Sequence, residues 1–181
     1  MTKLIETFFK MLDKNNPKEE LNHIYVDKEN IVLTNTVWLI IIKHDLNIEK
    51  PILLINDKAK YKYGNLQYSD IFGCTFIDDN FNYPDYTRIL RKNNDNMSIG
   101  FCNILESIYE IQFNNNIAIS YKVLSDLNKL SKLVFIDKYD YVSNTLPLSL
   151  KGECNDNSGY DYAIEIMMMP YICKEKENKN D

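Results

Sequence analysis

The chain reads as an α+β protein built on antiparallel strands, and three observations carry that reading. A helical period of apolar residues opens the chain and another recurs beyond residue 120. Short β-branched and aromatic runs, parted by Asn, Asp and Gly turns, fill the rest. The order helix-then-strands occurs twice, although no internal repeat is visible in the residues themselves. At 181 residues, 45% hydrophobic and 12% aromatic, the chain can bury a real core and is too apolar for global disorder.

Leu4, Ile5, Phe8, Phe9, Met11 and Leu12 predict an amphipathic helix over 3–14, capped by Thr2 and ended by Asn15-Asn16-Pro17. Strands over 24–26 and 31–33 follow, joined by Asp27-Lys28-Glu29-Asn30 as a hairpin turn. After the break at Thr34-Asn35, the β-branched run 37–42 suits a well-covered strand, and Pro51 precedes another over 52–55. From 57 to 82, scattered aromatics suggest short strands with turns at Gly64 and Gly73. A Pro84-Asp85 turn leads to a predicted strand over 87–90, and the polar stretch 92–96 reads as a linker. Residues 104–113 read as strands, with a short helix as the alternative that Ile104, Leu105, Ile108 and Ile111 also fit. A second helix is expected over 121–133, capped by Ser120, before closing strands over 134–136, 147–150 and 162–168. Residues 173–181 form a charged tail.

The net charge of −5 argues against a nucleic-acid binder that relies on overall charge, but leaves room for a local basic surface. Cys74, Cys102, Cys154 and Cys173 are widely separated, with no Cys-x-x-Cys pair, so no disulfide framework is expected. The start of the chain lacks a secretory pattern and the best apolar run is too short to span a bilayer. The expectation is a soluble, cytoplasmic protein with no membrane partner.

Enzymatic readings fare poorly. His23 and His44 are the only histidines and have no zinc-ligand spacing, and His44 beside Asp45 reads as a strand-end pair. Asp78, Asp79 and Asp85 offer oxygens to a divalent ion but read first as a polar loop. No Gly-rich phosphate loop or nucleophile elbow is present, so no catalytic residue, metal or cofactor is expected.

One segment is more specific. Tyr83-Pro84-Asp85-Tyr86-Thr87-Arg88-Ile89-Leu90-Arg91 resembles the aromatic-Pro-Asp-Tyr turn and Arg-containing strand of bacterial DNA polymerase sliding clamps. Thr34 through Leu39 is similar to the clamp turn Thr-Asp-Gly-His-Arg-Leu, matching at Thr34 and Leu39 and departing at Thr36, Val37 and Trp38. Tyr162 through Ile172 resembles the clamp's closing strand and Met-Pro-Met-Arg end, matching at Met169 and Pro170. The segment Ile119 through Leu127 looks like the family's entry into a late helix.

The resemblance implies an abridged, phage- or plasmid-type clamp relative. Residues 1–95 resemble the clamp's second domain and 96–172 its third, or both halves make one clamp-like domain. It implies a non-enzymatic processivity factor whose pocket captures short peptides of DNA polymerases and repair proteins. Carried over, that pocket comprises Thr34, Leu39, Met167, Met169 and Pro170, with Arg91 where the family has Pro. Flexible methionines suit such a slot; the alternative reading of Met167 to Met169 is plain core filling. Trp38 is expected to enlarge the apolar wall or block it, and Thr36 in place of Gly to restrict the turn.

A further pattern comes from the residues alone. Lys3, Lys10 and Lys14 fall together on the first helix, and Lys122, Lys129 and Lys132 on the polar side of the second. They are candidate DNA-facing residues, meeting phosphates of duplex DNA without reading bases, or else an ordinary solvated face. A ring would require homo-oligomerisation, because so short a chain cannot encircle a duplex alone. Two rival functions stand beside this one: a monomeric peptide-binding adaptor or decoy, and an unrelated acidic immunity or anti-defence protein.

Overall fold

The computed structural model describes residues 1–59, 65–90, 97–143, 146–155 and 161–170. The chain opens with helix α1 (Thr2–Met11), then strands β1 (Ile24–Val26), β2 (Asn30–Thr34), β3 (Trp38–Lys43), β4 (Ile52–Leu54), β5 (Gln67–Ser69) and β6 (Cys74–Ile77). The second half holds β7 (Met97–Asn103), α2 (Ile104–Asn115), α3 (Tyr121–Asn128), β8 (Val134–Asp140), β9 (Leu148–Asn155) and β10 (Asp161–Met168). All ten strands form one antiparallel sheet in the order β5-β6-β4-β1-β2-β3-β10-β9-β8-β7. The seam between the halves is therefore the pairing of β3 with β10, where Trp38 opposes Met168 and Leu39 opposes Met167.

The alternation of side chains along a strand divides the sheet into two faces. Trp38, Ile40 and Ile42 of β3, with Ile164, Ile166 and Met168 of β10, point to one face and join the main core. Leu4, Phe8 and Met11 of α1, Ile104, Ile108 and Ile111 of α2, and Val123 and Leu127 of α3 complete that core. Helices thus cover a single face, and among the described residues there are three α-helices rather than the two expected. One apolar cluster runs through both halves.

Several elements depart from the sequence expectation for identifiable reasons. Residues 104–113 are helical rather than strands. Asn103 caps α2 by accepting from Leu105 N (3.0 Å) and Glu106 N (3.1 Å), and Asn116 ends it in the left-handed conformation at φ 50°. Thr87 to Leu90 is not a strand. Asp85 accepts from Thr87 N (3.1 Å), Thr87 Oγ1 (2.6 Å) and Arg88 Nε (2.9 Å), which folds Tyr86–Arg88 into a 3-10 turn. Such local polar bonds compete directly with a sheet ladder.

Both predicted helices are shorter than their apolar period. α1 stops at Met11 because Leu12 is extended, and Thr2 is its first residue while Met1 occupies the cap position. α3 stops at Asn128, although Ser120 caps its start by accepting from Lys122 N (3.2 Å). The hairpin turn forms as Asp27 Oδ1 accepts from Glu29 N and Asn30 N, each at 2.9 Å. Gly73, at φ +67°, passes so close to α1 that an added Cβ would lie 2.5 Å from Thr2 Cγ2. The expected turn at Gly64, the linker 92–96 and the tail 173–181 lie outside the described residues.

Candidate protein-interaction surface at the sheet seam

On the face opposite the helices, the register sets Thr34 beside Leu39 and Leu39 beside Met167, one row across β2, β3 and β10. Leu39 and Met167 are 3% and 2% exposed and pack with Val32, Ile41 and Tyr86 in a second, smaller cluster. Pro170 is buried just beyond β10, and Met169 beside it is 42% exposed. Thr34, Leu39 and Met167 are thus brought together. The arrangement is a packed apolar row with an exposed methionine at its margin, not a deep slot. Arg91 lies outside the described residues.

The segment carrying the Pro-Asp motif crosses this same face. Tyr83 stacks on Tyr25 with ring centroids 4.8 Å apart, and Tyr25 also meets Phe81 and Tyr86. The Tyr86 hydroxyl donates to Asp27 Oδ2 (2.5 Å) and accepts from Asn30 Nδ2 (3.1 Å), tying the segment to the β1–β2 turn. Burial, with the Asp27 carboxylate beside it, pushes the Tyr86 phenol up, so it remains a neutral donor. Past Tyr86 the chain presents Ile89 and Leu90, 47% and 36% exposed. Sequence reasoning overlooked Tyr86, Ile89 and Leu90 as site residues. The signal available was that the motif follows three strands whose outer positions, Tyr25, Val32, Leu39 and Ile41, are largely apolar and need a cover.

Trp38 neither enlarges nor blocks the apolar row, because strand alternation sends it to the helix face. There it is 2% exposed and its Nε1 donates to Asp126 Oδ2 at 3.2 Å. Asn35 Nδ2 donates to the same oxygen at 3.3 Å, and Lys129 Nζ donates to Asp126 Oδ1 at 3.0 Å. One carboxylate of α3 therefore pins the β2–β3 turn from behind. Thr36 holds φ 76°, a conformation that a β-branched residue adopts only under strain.

Lys3, Lys10, Lys14, Lys122 and Lys132 are exposed. Lys14 and Lys132 lie beyond the ends of their helices. Lys129 is not part of a simple solvated row: besides Asp126, its Nζ reaches the Lys10 carbonyl at 2.9 Å and joins the ends of α1 and α3. α2 carries no Lys or Arg and presents Glu106 and Glu110 with Tyr109 and Phe113.

Among the described residues, Cys74, Cys102 and Cys154 form no disulfide, and Cys173 lies outside the described residues. No helix of the described residues is long and apolar enough to cross a membrane.

No family model matches the chain. No curated protein matches it in sequence. Among solved structures it is similar to the Helicobacter pylori beta clamp, crystallised in complex with 3,4-difluorobenzamide, with a TM-score of 0.53 at 15% identity. The likeness covers 94% of this chain and 64% of that one, so the chain spans less than two thirds of that clamp's length. The fold of this protein is therefore clamp-like: antiparallel sheet with helices gathered on one face.

Proposed function

We propose that this chain is a non-enzymatic, clamp-like protein of DNA replication that captures short peptides of polymerases or repair proteins at the β3–β10 seam. The observation that carries this is the register of Leu39 with Met167, with Met169 exposed at the margin of the row. Leu39, Met167, Thr34 and Pro170 form the floor, and Met169, Ile89 and Leu90 offer the apolar surface that a partner would cover. Residues 1–95 and 96–172 act as two abridged clamp domains whose meeting line is the binding site.

The test is a fluorescence anisotropy titration with a labelled peptide copied from the C-terminal tail of a bacterial replicative polymerase. Saturable binding is expected, weakened about tenfold or more by Met169→Glu, since a buried charge facing an apolar ligand costs over 1.4 kcal/mol. Absence of saturable binding, or equal binding by the exposed-site variant, contradicts the proposal.

A second reading, the monomeric adaptor or decoy, is favoured by α2. A helix face carrying Glu106 and Glu110 and no basic residue is a poor lining for a phosphate-facing pore. In the ring reading, Lys3, Lys10, Lys14, Lys122 and Lys132 face duplex DNA, and copies join through β5 and β7, the outermost strands of the described sheet. A solution mass measurement separates the two: a closed oligomer with salt-sensitive duplex binding supports the ring, a strict monomer the adaptor.

A further inference from the structure

α2 turns Ile104, Ile108 and Ile111 into the core, and the opposite stripe, Glu106, Tyr109, Glu110 and Phe113, faces away from it. A helix seated on a sheet is expected to be polar along that outer side. Instead Tyr109 is 62% exposed and Phe113 88%, and Tyr121, which opens the adjoining α3, is 84% exposed. Three bare rings on neighbouring helices mark a surface that a partner covers.

The exposed charges of these two helices are sorted by sign. α2 carries Glu106 and Glu110 and no Lys or Arg. α3 and the turn leaving it carry Lys122, Lys129 and Lys132, and their one carboxylate, Asp126, is buried under its bonds to Trp38, Asn35 and Lys129. Lys129 is committed to Asp126 and the Lys10 carbonyl. Glu106, Glu110, Lys122 and Lys132 enter no ion pair among the described residues. On α1, by contrast, Glu6 and Asp13 are mixed with Lys3, Lys10 and Lys14.

An acidic strip and a basic strip lying side by side are complementary to the same surface on a second copy. A two-fold axis running between α2 and α3 sets each helix opposite the other helix of its partner, so both strips are matched at once and the contact closes. The rings supply the burial. At about 150–250 Å² for a fully covered aromatic side chain, the exposed shares of Tyr109, Phe113 and Tyr121 come to about 450 Å² per copy. That is over half of the about 800 Å² that a stable interface buries on each partner.

We propose that the chain forms a two-fold dimer through this layer, α2 of each copy lying on α3 of the other. Glu106 and Glu110 meet Lys122 and Lys132 across the axis, and the three rings of each copy fill the space between. The peptide-binding seam lies on the opposite face of the sheet, so the dimer neither depends on it nor obstructs it. It does cover Lys122 and Lys132, so dimerisation and duplex binding through those lysines exclude each other.

The experiment is sedimentation velocity of the full chain across the micromolar range at low salt, where a monomer–dimer equilibrium is expected. Two charge reversals at exposed positions, Glu106→Lys with Glu110→Lys and Lys122→Glu with Lys132→Glu, should each weaken the dimer about tenfold or more. Mixing the two reversed chains should restore it, because each acidic strip then faces a basic one in both contacts. Phe113→Ser, at an almost fully exposed position, should weaken the dimer without lowering the thermal midpoint of the monomer. A native chain that stays monomeric overturns the proposal, as does a dimer or larger oligomer indifferent to either reversal, or a mixture that fails to recover.

Discussion

Replacing Asp126 by Ala removes the acceptor that joins α3 to the β2–β3 turn. Trp38 Nε1 and Asn35 Nδ2 would both lose their shared oxygen while their residues stay 2% and 7% exposed. A stranded buried donor costs about 1–3 kcal/mol. The Asn35 share is smaller, because its Oδ1 still accepts from Val37 N and Trp38 N. The Lys129 side chain is 37% exposed, so its ion pair adds only about 0–1 kcal/mol. The sum is about 3 kcal/mol, which for a chain of this size lowers Tm by about 6–12 °C. Asp126→Asn keeps one acceptor oxygen and should lose about 1 kcal/mol. Urea unfolding followed by circular dichroism measures these losses. Because Trp38 is the sole tryptophan, its emission reports the same junction directly. A double-mutant cycle with Trp38→Phe should return a coupling of about 1 kcal/mol or more. A loss below about 0.5 kcal/mol for Asp126→Ala, or a strictly additive cycle, would refute the assignment of Asp126 as the acceptor that pins the β2–β3 turn to α3.

Thr36→Gly should stabilise the protein by about 0.5–1 kcal/mol: relief of the left-handed strain is worth about 1–2, and the added freedom of Gly in the unfolded chain returns about 0.5–1. A higher urea midpoint at unchanged slope is the expected result. Gly152→Ala should be strongly destabilising, by about 3 kcal/mol or more, since its Cβ would lie 2.0 Å from the Phe135 carbonyl oxygen where β8 and β9 shift register. Thermal unfolding checks it. Burial lowers the His23 pKa to about 4, so the ring is neutral in the fold and is protonated first in the unfolded chain. Its contribution, up to about 3 kcal/mol, is present above pH 6.5 and lost as pH falls from 6.5 towards 4. Unfolding free energies across that window should decline accordingly, and His23→Gln should flatten the decline.

Much of the strand pattern was legible because β-branched runs such as Val37 to Ile42 leave little choice of structure. The helix over residues 104–115 was legible in its isoleucines, since positions 104, 108 and 111 follow the helical spacing i, i+4, i+7 and break a strand period of two. The deciding signal was local: Asn103 followed three residues later by Glu106 reads as a helix start. The Tyr86–Arg88 turn was misread for the same kind of reason, since Asp85 captures Thr87 and Arg88 before a ladder can form. The candidate surface divides in the same way. That residues 34–39 and the closing strand share a face followed from the family likeness, and β3 does pair with β10. The direction of Trp38 did not, although alternation from Leu39 already places it on the other side. Its bond to Asp126 spans 88 residues of chain, and no short-range pattern announces such a partner.

The most direct test of the interaction surface is amide hydrogen exchange of the full chain with and without the polymerase-tail peptide. Slower exchange concentrated in 86–90, 34–41 and 165–170, with the 55–58 and 72–74 segments unchanged, is the predicted result. Protection spread over α1 or the β7 edge with none along the β3–β10 seam would contradict it.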